Sequence, residues 1–68
     1  MRQSEAPGDL SATEHIVYML LSTEEAVHLD ELAARSKLSV PELTAALLGL
    51  EMRDLIRQLP GKSFVRKI

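Results

Sequence analysis

Residues 28–59 read HLDELAARSKLSVPELTAALLGLEMRDLIRQL, and the punctuation within this stretch decides the fold. Asp30 is a helix-capping residue type, and the run from Glu31 to Arg35 behind it is made of good helix formers. Lys37-Leu38-Ser39 then predicts a tight turn, with Leu38 as its apolar plug. Ser39 with Glu42 three residues on is a capping box, in which each side chain bonds the other's backbone N–H. Pro41 falls in the first turn of the helix that follows, where a missing N–H costs nothing. Two helices joined by so short a turn form a helix-turn-helix.

The second of these helices is predicted from Val40 to about Arg53. Val40, Leu43, Leu47 and Leu50 recur at helical spacing and make an inward stripe, with Ala46 beside it. Ala45, Leu48 and Met52 form a second apolar strip on a different face. Gly49 interrupts the helix at a cost of about 1 kcal/mol relative to alanine. It either admits the close approach of another backbone or is a tolerated weakness. Asp54 follows the helix where a left-handed residue is usual, a place more often taken by glycine.

Downstream, residues 55–59 and 63–68 read as two strands around Pro60-Gly61-Lys62. A hairpin centred on Gly61-Lys62 pairs Leu59 with Phe64 and therefore Arg57 with Arg66. Two arginines directly opposite repel, unless an anion sits near them. Upstream, Ser11 and Glu14 form another capping box. Ile16, Val17, Leu20 and Leu21 then predict the core face of a first helix. Val27-His28-Leu29 is long enough for one or two strand bridges. Residues 1–9, MRQSEAPGD, carry no apolar periodicity and read as a disordered tail or linker before a domain at 10–68. A linker in front of a small domain suggests a fragment of a larger protein, although a free-standing protein fits the same pattern.

The expected fold is mainly α with a small β hairpin. It is a winged helix-turn-helix of three helices, one short strand and a C-terminal two-stranded wing. Leu29, Ile56 and either Phe64 or Val65 are expected to close the core.

Sixty-eight residues support one domain of modest stability. The chain has no cysteine, so it can form neither a disulfide nor a thiolate metal site. No apolar run approaches a membrane span and the N-terminus is not a signal peptide, so the default compartment is cytoplasmic. The net charge of −2 does not itself point to nucleic acid, but its distribution is uneven. Residues 1–39 carry a net −4 and residues 40–68 a net +2, with Arg53, Arg57, Lys62, Arg66 and Lys67 near the end. Such asymmetry can focus an anion on one end of a domain, and it equally fits a solvated hairpin kept soluble by its cations. His15 and His28 lie on separate elements, with no nucleophile, base or ligand set around them. No enzyme activity, metal or cofactor is expected. Tyr18 could stack on a base, but it also suits the edge of a core.

The segments LSATEHIVYMLL, VHLDELAARSKLSVPELTAALLGLEMRDLI and RQLPGKSFVRKI together resemble the C-terminal winged helix domain of the DNA-processing protein A (DprA/Smf) family. The resemblance runs from Leu10 to Ile68, and HLDELA, LSVPEL, LLGLE and LPGKSFVR are its most specific pieces. Asp54 departs from the glycine usual in that family, and Gly49 is unusual inside the helix. The resemblance implies a role in protecting incoming single-stranded DNA during natural transformation and in loading RecA recombinase. In the family, a central Rossmann-like domain binds the single strand and dimerises, and that domain is absent from this sequence. The winged helix is an accessory piece, assigned to DNA binding by analogy of fold.

The residues themselves leave two partners open. Ser39, Glu42, Thr44, Ala45 and Leu48 are the exposed candidates on the recognition helix. None is an arginine, lysine, asparagine or glutamine of the kind that reads base edges in pairs of hydrogen bonds. Weak, non-specific DNA contact would instead use Arg35, Lys37, Ser39, Thr44, Arg57, Lys62 and Arg66, with phosphates neutralised by the cations and salt dissolving the complex. Under the alternative, Ala45, Leu48 and Met52 dock another domain or protein of the DNA-processing machinery, or a second copy. The same strip could also be partly core.

Overall fold

The computed structural model describes residues 8–67. In chain order the elements are α1 (Ala12–Leu20), β1 (Val27–His28), α2 (Leu29–Ser36), α3 (Val40–Met52), β2 (Ile56–Leu59) and β3 (Ser63–Arg66). This is the winged helix order expected from the sequence. Of the predicted tail, residues 1–7 lie outside the described residues, as does Ile68. Asp9 sits in a turn, and its carboxylate meets the Arg53 guanidinium at 2.8 Å. That contact holds the Asp9 carboxyl below its ordinary range, through the hydrogen bond first and the charge second.

Both capping boxes form. In α1 the Ser11 hydroxyl accepts the Glu14 N–H at 3.2 Å, and the Glu14 carboxylate accepts the Ser11 N–H at 3.0 Å. Three of the four positions expected to face the core do so, and Ile16 does not. Val17, Tyr18 and Leu21 are buried and Leu20 is half-buried, whereas Ile16 is 41% exposed. Arg66 stacks on the Tyr18 ring at 4.4 Å, a contact that joins this side of α1 to the wing.

Helix α2 begins two residues earlier than Asp30 would allow as its cap. His28 is the cap: its Nδ1 accepts the Asp30 N–H at 3.0 Å. His28 ends β1 in an extended conformation, so the helix starts directly where the strand stops. Asp30 lies within the first turn, where its charge still suits the helix dipole. Lys37 takes a left-handed conformation (φ 61°) and stops α2, and Leu38 packs against the core.

Helix α3 shows the predicted start and stop. The Ser39 hydroxyl accepts the Glu42 N–H at 3.2 Å, and Glu42 accepts the Ser39 N–H at 3.0 Å. At the other end Asp54 adopts the left-handed conformation (φ 65°). Its N–H reaches the Glu51 carbonyl at 2.9 Å, and the Leu55 N–H reaches the Leu50 carbonyl at 3.1 Å. These two bonds are a Schellman stop, made with aspartate in place of glycine. Leu43, Ala46, Leu47 and Leu50 are buried as expected. Val40 is not: it is 67% exposed. It occupies the first helical position, and Leu38 just before it supplies the apolar contact to the core.

The three strands run in the order β1-β3-β2, all antiparallel. The hairpin register differs from the expected one. Leu59 pairs with Ser63, Gln58 with Phe64, Arg57 with Val65 and Ile56 with Arg66. The expected register would have made Pro60 the closing partner of Ser63, and proline has no N–H to give such a pair. Pro60 instead joins the loop with Gly61 (φ 86°) and Lys62 (φ 61°). Arg57 and Arg66 are therefore not directly opposite one another. Ile56 and Phe64 join the three helices in one buried cluster, with Leu29 packed at its margin. Val65 is also buried, but outside that cluster.

Candidate functional site

The turn between α2 and α3 gathers Arg35, Lys37 and Ser39, but two of the three are engaged. Arg35 pairs with Glu31 one helical turn away at 3.2 Å. The Ser39 hydroxyl is held by Glu42, to whose Oε1 it donates at 3.0 Å while accepting the Glu42 N–H. The Glu42 carboxyl lies below its usual range because the Ser39 backbone N–H, and then the Ser39 hydroxyl, bond it. The start of α3 is thus already occupied by the chain's own carboxylate, and a phosphate would meet like charge there. Lys37 is exposed and has no ion-pair partner among the described residues.

The solvent face of α3 is apolar. Ala45 is exposed, Leu48 is 56% exposed and Met52 78% exposed, so the second apolar strip is surface and not core. No lysine or arginine stands on α3. Beside this face an open groove of about 320 Å³ runs between α3, the start of α2 and the wing. Leu47, Leu48 and Thr44 of α3 line it with Leu29 and Phe64, and Glu51 and Lys62 stand at its polar margin. The structure therefore brings Thr44, Lys62 and Leu48 together, three residues that sequence reasoning had divided between two partners. Ala45 and Met52 do not line the groove.

The alternation of the hairpin separates its two faces. Gln58 and Phe64, directly paired, both line the groove against α3. Arg57 and Val65, the next pair, line a different hollow of about 270 Å³ with Thr23, Arg66 and Lys67. Three of the eight lysines and arginines in the chain meet there, and no acidic residue lines it. Thr23 and Lys67 escaped sequence reasoning. Lys67 required the correct register, and Thr23 lies in a loop whose course no local pattern gives.

The cations of the C-terminal segment are not equally available. Arg53 is tied to Asp9, and the contact raises its already high pKa. Lys67 contacts the Asp54 carboxylate. Arg66 donates from Nε to the Tyr18 carbonyl at 3.0 Å, at the C-terminal end of α1, where a cation is favoured by the helix dipole. Arg57 and Lys62 are exposed and make no ion pair among the described residues. Among the described residues no group of His, Cys, Asp and Glu could hold a metal ion, and no helix is long and apolar enough to cross a membrane. His15 is exposed on α1, and His28 serves as the α2 cap.

No curated protein and no solved structure matches the chain. Residues 1–62 match the family described as the DprA winged helix domain, a match that ends at the tip of the wing. With three helices and a small antiparallel wing in the order that such a domain requires, the chain belongs to the DprA winged helix family.

Proposed function

We propose that this domain is the accessory module of a cytoplasmic DprA-like DNA-processing protein. It would serve natural transformation and RecA loading by holding DNA weakly and without sequence preference. The observation that carries this reading is the placement of the exposed cations. Lys37 and Lys62 stand beside α3 and Arg57 on the other side of the wing, all three exposed and without ion-pair partners among the described residues, while α3 itself offers no side chain for reading bases. About three phosphate contacts give an affinity that falls steeply with salt. The winged helix is a non-catalytic fold, and the chain acts here by binding alone.

A two-dimensional NMR titration of the labelled domain with short single- and double-stranded DNA tests the reading. Shifts at Lys37, Arg57 and Lys62 that fade between low and moderate salt are expected. An unchanged spectrum at low salt, with both DNA forms at millimolar concentration, would overturn it.

A second reading has its own support. Leu48 and Met52 are exposed beside a groove floored by Leu29, Leu47 and Phe64, which suits docking on another protein of the DNA-processing machinery. Leu48→Glu would then abolish a complex that tolerates salt, whereas Arg57→Ala would leave it intact.

A further inference from the structure

We infer that the phosphate-binding point of this domain is the hollow on the outer side of the wing, lined by Thr23, Arg57, Arg66 and Lys67, and that its ligand is a phosphodiester of the nucleic-acid backbone. The inference rests on the DNA reading above and gives it a location away from the recognition helix.

Three features of the hollow favour an anion. Its polar lining is three cations and one hydroxyl, in a chain whose net charge is −2. Its floor is Val65, the strand partner of Arg57, which is 8% exposed, so the cations stand over a low-dielectric surface. Arg66 is held in place before any ligand arrives. Its Nε bonds the Tyr18 carbonyl, its Cζ lies over the Tyr18 ring and one terminal nitrogen contacts the Met19 sulfur, while among the described residues its terminal nitrogens make no bond to a carboxylate. A guanidinium already immobilised loses little entropy when it donates to an anion.

Arg57 complements this fixed group. It is exposed, on an edge strand, and without an ion-pair partner among the described residues, so it can close on a ligand from the opposite side. Lys67 contributes less, because Asp54 neutralises it until a stronger anion competes. The donor set selects the backbone over the bases. The lining has no asparagine or glutamine to read a base edge, and the one aromatic ring nearby is covered by Arg66 and cannot stack. The hollow is open and carries no further recognition group, as suits a strand that passes across it. The competing site, the start of α3, is already filled by Glu42.

The test compares Arg57→Ala and Thr23→Val with Lys37→Ala and Lys62→Ala, each titrated with a short oligothymidylate over a salt series and followed by amide shifts. Arg66 is left unchanged because it anchors the wing to α1. The expected result is shifts centred on Thr23, Arg57, Val65 and Lys67. Arg57→Ala should weaken binding several-fold and lower the salt slope by about 0.7, the value of one phosphate contact on a single strand. Arg57→Lys should restore part of the affinity. If the oligonucleotide binds with shifts centred on Lys37 to Thr44 and Arg57→Ala changes nothing, the location is overturned and the DNA reading stands. If no oligonucleotide binds at low salt, both fall. If a polyglutamate peptide, run in parallel, shifts the same amides at lower concentration than the oligonucleotide does, the ligand class is overturned.

Discussion

Helix α3 and the wing share one core, yet they are held by different kinds of contact. α3 is set by neighbours in sequence: a capping box at Ser39, a proline in the first turn and a Schellman stop through Asp54 and Leu55. The wing is set by residues far away in sequence. β3 pairs with β1 at Val27 and His28, Arg66 reaches Tyr18, and Lys67 reaches Asp54. The difference has a functional consequence. The outer face of α3 presents apolar residues and carries no cation. The wing uses part of its charge to stay attached, so a count of lysines and arginines overstates what it can offer a ligand.

The largest expected effect removes both regions together. Leu50 is completely buried where α3 meets α1, α2 and the sheet, and Leu50→Ala should cost about 2–5 kcal/mol. In a domain of this size that approaches the whole stability. Urea unfolding followed by far-UV circular dichroism and by amide resonances of the wing should show one coincident transition. Two separated transitions would mean that α3 and the wing are not one cooperative unit.

Arg66→Ala should divide them. It removes a charged hydrogen bond and a cation–π contact at a half-buried site, together about 1–2 kcal/mol. The loss should appear first in hydrogen exchange of β3 and of the last turn of α1, with α3 protection least affected. Equal loss of protection in α3 would show that the wing is held by the core and not by this contact.

The same division explains what the sequence reveals. Both capping boxes, the Pro41 start, the stop at Asp54 and four of the five inward positions on α3 follow from spacing within a few residues, and all are present. The departures arise where a distant residue intervenes. Ile16 is exposed, and Tyr18 is buried beneath Arg66, 48 positions away. The hairpin shifted register because Pro60 cannot close it. The hollow around Arg57 depends on both the register and the loop at Thr23, so only its arginines were legible. The exposed strip on α3 was legible as a strip. The groove beside it was not, because Phe64 and Leu29 come from other elements.

A smaller effect isolates the start of α3. Ser39→Ala removes the cap and should cost about 1 kcal/mol at neutral pH. The Glu42 carboxyl is lowered in the folded state, so the stability linked to it is present above the ordinary carboxylate range and disappears as pH falls through the lowered value. The penalty of Ser39→Ala should therefore shrink on acidification, as the wild-type contact fails as well. A penalty independent of pH, measured from thermal midpoints between neutral and strongly acidic solution, would show that Glu42 does not contribute through its charge.

The smallest net effect tests a place where α3 meets a single distant side chain. A Cβ on Gly49 would lie 2.1 Å from Oε2 of Glu14, the carboxylate that completes the α1 capping box. The obstacle is the end of a flexible side chain, so α1 need not move away from α3. Gly49→Ala gains about 1 kcal/mol of helix propensity and loses a similar amount when Glu14 is pushed off the Ser11 N–H, so the sum should be close to zero. In a Glu14→Ala background the obstruction is gone, and the same substitution should stabilise by about 0.5–1 kcal/mol. The coupling between the two positions is the informative quantity. Additive effects would make Gly49 a tolerated weakness of α3. A measurable coupling would make it the point at which the otherwise locally determined helix accommodates a neighbour, not through backbone approach but through the carboxylate that caps α1.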